Sequence, residues 1–129
     1  MKRLIVFAAA CLCSAQLFAQ HKVYCEIVEQ KKLNGKQVNI TIDFGQKRDS
    51  SRSSSQQLVD ETGEVIIFNS KIDALNYMDR LGWNFLQAYT SVHGSNGDTS
   101  SVIRWLLYKE VSEGEDPYQG LTTKEKFNK

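Results

Sequence analysis

Asn69-Ser70-Lys71-Ile72-Asp73-Ala74-Leu75-Asn76-Tyr77-Met78-Asp79-Arg80-Leu81-Gly82-Trp83 is the stretch that decides the architecture of this chain. Ser70 reads as an N-cap, its hydroxyl placed to accept a hydrogen bond from the first turn, and Asp73 brings an acidic group to the positive end of the helix. Ala74, Leu75, Tyr77, Met78 and Leu81 fall on one side of a helical wheel, with Lys71, Asp73, Asn76, Asp79 and Arg80 mostly on the other. Gly82 supplies the left-handed residue that commonly ends a helix. A helix with one apolar side needs a surface to lie on, and the segments on both sides of it supply a sheet.

Toward the C-terminus, Trp83 to Thr90 is rich in aromatics and reads as a strand. His93 to Thr99, with Gly94, Asn96 and Gly97, reads as a loop, and Val102 to Val111 as a second long strand. The two are expected to pair as an antiparallel hairpin. Toward the N-terminus, Val65 to Phe68 is a short strand, with Leu58-Val59 as its partner across Glu61-Thr62-Gly63-Glu64. Further back, Val23, Cys25 and Ile27 alternate with Tyr24, Glu26 and Val28, and Val38, Ile40, Ile42 and Phe44 alternate after Asn34-Gly35. Asn-Gly suits the positive backbone angles of a type I′ turn, so these two runs form a front hairpin. The expected fold is α+β: an antiparallel sheet of four to five strands with one amphipathic helix packed on one face, in the order strand, strand, one or two short strands, helix, strand, strand.

Two stretches carry no such pattern. Residues 46–57 are polar and serine-rich and read as an exposed loop, and residues 112–129 as a polar, disordered or loosely attached tail. Residues 20–111 form the single domain, which is as much as a chain of this length supports.

The run from Ala74 to Leu86, followed by a strand closing on Leu106-Leu107-Tyr108-Lys109, resembles the bacterial family known as domain of unknown function 4177. In that family a helix with a Leu-Asn start runs into Gly-Trp-Glu and a strand, and a final strand ends in a basic residue. The resemblance covers roughly Val65 to Val111. It departs at Asn84, where the family has an acidic residue, and in the front hairpin and serine loop. It implies a fold and no activity. The chain also resembles the short secreted proteins of the Bacteroidota, which often place Gln directly after the signal.

That signal occupies residues 1–19. Lys2 and Arg3 form a positive start, Leu4 to Leu12 an apolar core, and Ala15 to Ala19 a small-residue exit. Cys13, Ser14 and Gln16 interrupt the run short of the roughly 20 apolar residues a bilayer span needs, so the mature chain is expected to carry no transmembrane span. Cleavage is expected after Ala19, with the bond after Gln20 as second choice, and export to the periplasm or the outside of the cell follows. A lipid anchor at Cys11 is the minor alternative, disfavoured by the short apolar stretch ahead of it and the apolar residues behind it. Cleavage leaves Cys25 as the single cysteine, which excludes an internal disulfide, and its place on the Val23 and Ile27 side of a strand favours a small buried hydrophobe. Loss of Lys2 and Arg3 brings a chain of formal charge +1 to about neutrality. Neutrality argues against nucleic acid, even though Lys47, Arg48 and Arg52 lie near aromatic strand residues.

Catalytic chemistry has little to draw on. His21 and His93 stand apart, so no metal site is expected, and no cofactor. Asp43, Asp60, Glu61 and Glu64 sit at strand ends and turns, where acids are ordinarily solvated. The one enzymatic alternative is a small hydrolase using His93 with a nearby carboxylate such as Asp98. The leading expectation is a non-enzymatic binding or interaction module of the cell envelope. Its candidate surface is the aromatic set Trp83, Phe85, Tyr89, Trp105 and Tyr108. Strand alternation puts Trp83, Phe85 and Tyr89 on one face, with Trp105 and Tyr108 on opposite faces of their strand. Only one face can lie under the helix, so some of these rings face outward for an envelope protein, peptide or glycan partner. The competing reading buries them in a second small core beneath the front hairpin. Pairing through a sheet edge offers a route to a homo-oligomer.

Overall fold

The computed structural model describes residues 19–31, 35–47, 53–95 and 97–129. Most of the expected signal with Cys11 and Cys13, Asn34 of the front turn, residues 48–52 of the serine loop and Asn96 lie outside the described residues.

Strands β1 (Gln20–Lys31), β2 (Val38–Asp43), β3 (Asn84–Ser95) and β4 (Asp98–Ser112) form one antiparallel sheet in the order β2-β1-β4-β3. Helix α1 (Lys71–Arg80) lies between the two hairpins in sequence, and a short helix α2 (Lys124–Phe127) lies near the C-terminus. This is an α+β arrangement with four strands.

Register explains why the strands hold together. Cys25 stands opposite Leu107, and Ile27 stands opposite both Trp105 and Ile42. Each apolar position therefore meets another on the same side of the pleat, and a slip by one residue would turn the whole set outward. Cys25, Ile27, Val38, Ile40, Ile42 and Leu107 are buried in one cluster with Ala74 and Met78 of α1. The helix begins as its sequence dictates: the Asp73 N–H donates to Ser70 Oγ at 3.3 Å, and the Asn69 N–H donates to the Asp73 carboxylate at 3.0 Å. The first bond satisfies one of the N–H groups a helix start leaves free, and the second ties down the residue before the cap. Gly82, at φ 87°, ends it, and a Cβ there would also lie 3.1 Å from the Lys109 side chain.

The stretch from Leu58 to Phe68 adds no regular strand, which corrects the expectation for Val65 to Phe68. Phe68 exchanges both backbone hydrogen bonds with Val38 (3.0 and 2.7 Å), the Leu58 N–H donates to Ile40 O (3.2 Å), and the Ile66 N–H donates to Leu58 O (3.0 Å). Its backbone groups are shared among several partners, so single bridges form where a ladder would need one. These bridges cover the outer edge of β2.

Both polar stretches are better anchored than their composition suggests. Residues 53–56 form a 3-10 turn in which Gln56 is buried, accepting from Gln46 Nε2 (2.6 Å) and donating to the Glu125 carboxylate (2.7 Å). Amide hydrogen bonds do here what apolar contact does elsewhere. The residues after Val111, read from sequence as a loose tail, return to the core. Leu121 and Thr123 are buried, Thr123 bridges to Leu58, and the Tyr118 ring lies 4.7 Å from Phe44 and 5.8 Å from Trp83 by centroids. The chain passes α1 so closely at Gly120 that a Cβ would stand 2.9 Å from Leu81 Cδ2. Among the described residues no helix is long and apolar enough to cross a membrane.

Candidate functional site

The aromatic set divides into three places. Trp83 is buried at 1 % exposure, at the end of α1 and stacked on Tyr118, and so leaves the candidate surface. Its position follows from the sequence: Gly82 turns the chain, and β3 begins only at Asn84, so Trp83 obeys the helix terminus and not the strand.

Phe85 and Trp105 share the side of the sheet that carries Ile27 and Leu107. Phe85 stands opposite Leu107 and Trp105 opposite Ile27, and their rings lie 5.4 Å apart. Trp105 is half-buried, with Lys71 Nζ of the helix start 5.7 Å from its ring, whereas Phe85 is exposed. Ile103 and Val92 extend this side toward the tip of the β3–β4 hairpin, and both are exposed.

Tyr89 and Tyr108 lie on the other side, and for Tyr89 this corrects simple alternation. The pairing shifts between Phe85, opposite Leu107, and Gln87, opposite Leu106, so that Leu86 is an extra residue. One inserted residue reverses the facing of everything beyond it, and Tyr89 is thereby placed opposite Arg104. Tyr108 faces Tyr24, with ring centroids 6.5 Å apart, and Lys22 Nζ stands 5.0 Å from the Tyr108 ring.

Between these tyrosines runs a polar cluster that the sequence reading missed. Arg104 Nη1 donates to Glu26 Oε1 at 2.6 Å, Arg104 Nε donates to Ser91 Oγ at 2.8 Å, and the Tyr89 hydroxyl donates to Glu26 Oε2. The group spans β1, β4 and β3. The signal for it was a lone charge inside each apolar run, Glu26 in Val23 to Val28 and Arg104 in Val102 to Tyr108. Both oxygens of Glu26 are committed, so the carboxylate works as a cross-strand strut. Its hydrogen bond raises the Tyr89 phenol above the ordinary tyrosine range, because a phenolate there would lose the bond and face the carboxylate charge.

His93 sits opposite Ser100 near the hairpin tip and is exposed. Its backbone carbonyl accepts from Ser100 Oγ at 3.4 Å, a contact that does not engage the imidazole. Cys25 is buried, and burial, aided by the charges of Asp43 and Glu26, pushes its thiol up to about 12. A thiol so held stays protonated and unreactive near neutrality. Among the described residues no group of His, Cys, Asp and Glu is arranged to hold a metal ion. Comparison of this chain with protein-family models, with curated proteins and with solved structures finds no match.

Proposed function

We propose that this chain is an exported binding module of the cell envelope and that its β3–β4 hairpin carries the binding surface. The observation behind this reading is where exposed large hydrophobic residues collect. Phe85, Leu86, Tyr89, Val92 and Ile103 are all exposed and all lie on that one hairpin. Scattered apolar residues need no explanation, but a concentration on one element favours recognition. On this reading the helix packs on one face of the sheet, and the Phe85–Trp105 pair at its margin, beside Lys71, takes an apolar segment of an envelope protein. Kinship with the domain of unknown function 4177 belongs to the same proposal, resting on the helix that runs into Gly82-Trp83.

Photo-crosslinking in intact cells tests it. A photoreactive side chain at Phe85 or Ile103 is expected to give a defined adduct, and one at Glu61, in the turn at the far side of β2, none. Cell fractionation and N-terminal sequencing of the same material are expected to place the protein in the envelope with Gln20 first. Absence of adducts from the hairpin, or equal adducts from both places, overturns the binding surface. An intact N-terminus on a cytoplasmic protein overturns export.

A further inference from the structure

We infer that two copies of this chain pair antiparallel along β3, joining their sheets into one of eight strands about a two-fold axis. This rests on the reading of the β3–β4 hairpin as an interaction surface and names one occupant of its edge.

The two edges of the sheet are not alike. The outer edge of β2 is occupied by Leu58 and Phe68, which hydrogen bond to Ile40 and Val38. The outer edge of β3 has no backbone partner among the described residues. Beyond the bulge at Leu86 it runs unbroken from Gln87 to Gly94, about 27 Å at the rise of an antiparallel strand. Exposed edges are usually protected by lysine, by other charges or by proline. From Asn84 to Ser95 this strand has no Lys, Arg, Asp, Glu or Pro.

That composition fits a second copy in particular. Residues facing each other across antiparallel strands share a side of the sheet, so a two-fold pair must place one residue opposite its own twin. A charge near the axis would repel itself. Thr90 and Ser91, at the middle of the free stretch, are small and uncharged. An axis perpendicular to the sheet also keeps each side with its like, so that with Thr90 opposite its twin, exposed Ala88 of each copy meets exposed Val92 of the other. A two-fold pairing uses the same edge of both copies, so it closes at two and does not propagate. It sets both Phe85–Trp105 pairs on one side of the joined sheet, and two linked sites bind a repeated partner more tightly than either alone.

Light scattering after size exclusion, over about 1–100 µM protein, together with amide hydrogen exchange, tests the inference. The wild type is expected to be a dimer at the upper end, with slow exchange across Gln87 to Gly94. Thr90→Lys is expected to weaken the dimer at least tenfold and expose the alternate amides of that stretch that point away from β4, while leaving protection in β1 and β4 intact, which shows that the variant folds. Mixing Thr90→Lys with Thr90→Glu is expected to restore a dimer. A wild type that stays monomeric throughout, a dimer that Thr90→Lys leaves unchanged, or growth beyond two copies each overturns the inference. Hairpin crosslinks to another protein from a chain that is monomeric when pure would overturn the pairing and leave the binding surface standing, whereas loss of both would remove the two together.

Discussion

β2 and β3 are the two end strands of the same sheet and differ in almost everything that decides what an end strand does. β2 is short and alternates buried and half-buried residues, its core side filled by Val38, Ile40 and Ile42 and its outer edge bridged. β3 is twice as long and exposed at nearly every described side chain. Cover is what separates them. Leu58 and Phe68 cover the β2 edge, and behind them pack the two stretches with the least apolar pattern, Gln56 and the chain after Val111. Stability should concentrate at the β2 side and surface chemistry at β3.

The strongest way to break that contrast is Trp83→Ala. Emptying the space between α1 and Tyr118 is expected to lower unfolding stability by about 3–5 kcal/mol in urea titration. A loss like that of a surface substitution would mean Trp83 is not a core residue. Leu121→Ala comes next, at about 2–3 kcal/mol, since its side chain is buried at the margin of the core. A neutral result would return the C-terminal stretch to the loose tail its composition suggests. Alkaline titration sharpens the same point at Cys25. Its folded thiol is raised to about 12 from 9.0, so the folded state holds a proton that the unfolded chain loses above the lower value. Stability is therefore unaffected below pH 9 and falls as pH rises toward 12, and Cys25→Ala is expected to remove that part of the slope. Ser70→Ala should cost about 1 kcal/mol through loss of the cap on α1, read as a shift of the urea midpoint. The smallest effect belongs to β3 itself. Leu86→Ala, an exposed bulge residue, is expected to change stability by less than about 0.5 kcal/mol at low micromolar protein.

What the sequence revealed and what it hid follow the same contrast. Period-two and period-3.6 patterns make β1, β2, β4 and α1 legible, and Ser70, Asp73 and Gly82 mark the ends of the helix from local chemistry alone. The polar anchors are invisible to a method that looks for apolar repeats. Gln56 is held by a glutamine ten residues back and a glutamate near the C-terminus, a pairing no local pattern announces. The facing of the candidate aromatic residues is where spacing misleads. Phe85 and Tyr89 have the spacing of one face, and only the bulge at Leu86, which leaves no mark in composition, turns them apart. Trp83 looked like the first residue of a strand because its neighbours are strand residues, yet it answers to the glycine before it.

Tyr118 closes over Trp83 and Phe44 from the last dozen residues of the chain. Synthesis delivers a polypeptide from its N-terminus, so β1, β2, α1 and the final hairpin all emerge before the residue that seals their common interior. Until then the indole and the phenylalanine remain wet, and closure requires a contact between parts of the chain far apart in sequence, the slow kind to form. The order of emergence thus works as a delay at that one contact, which must wait for Tyr118 to follow the strands it packs on.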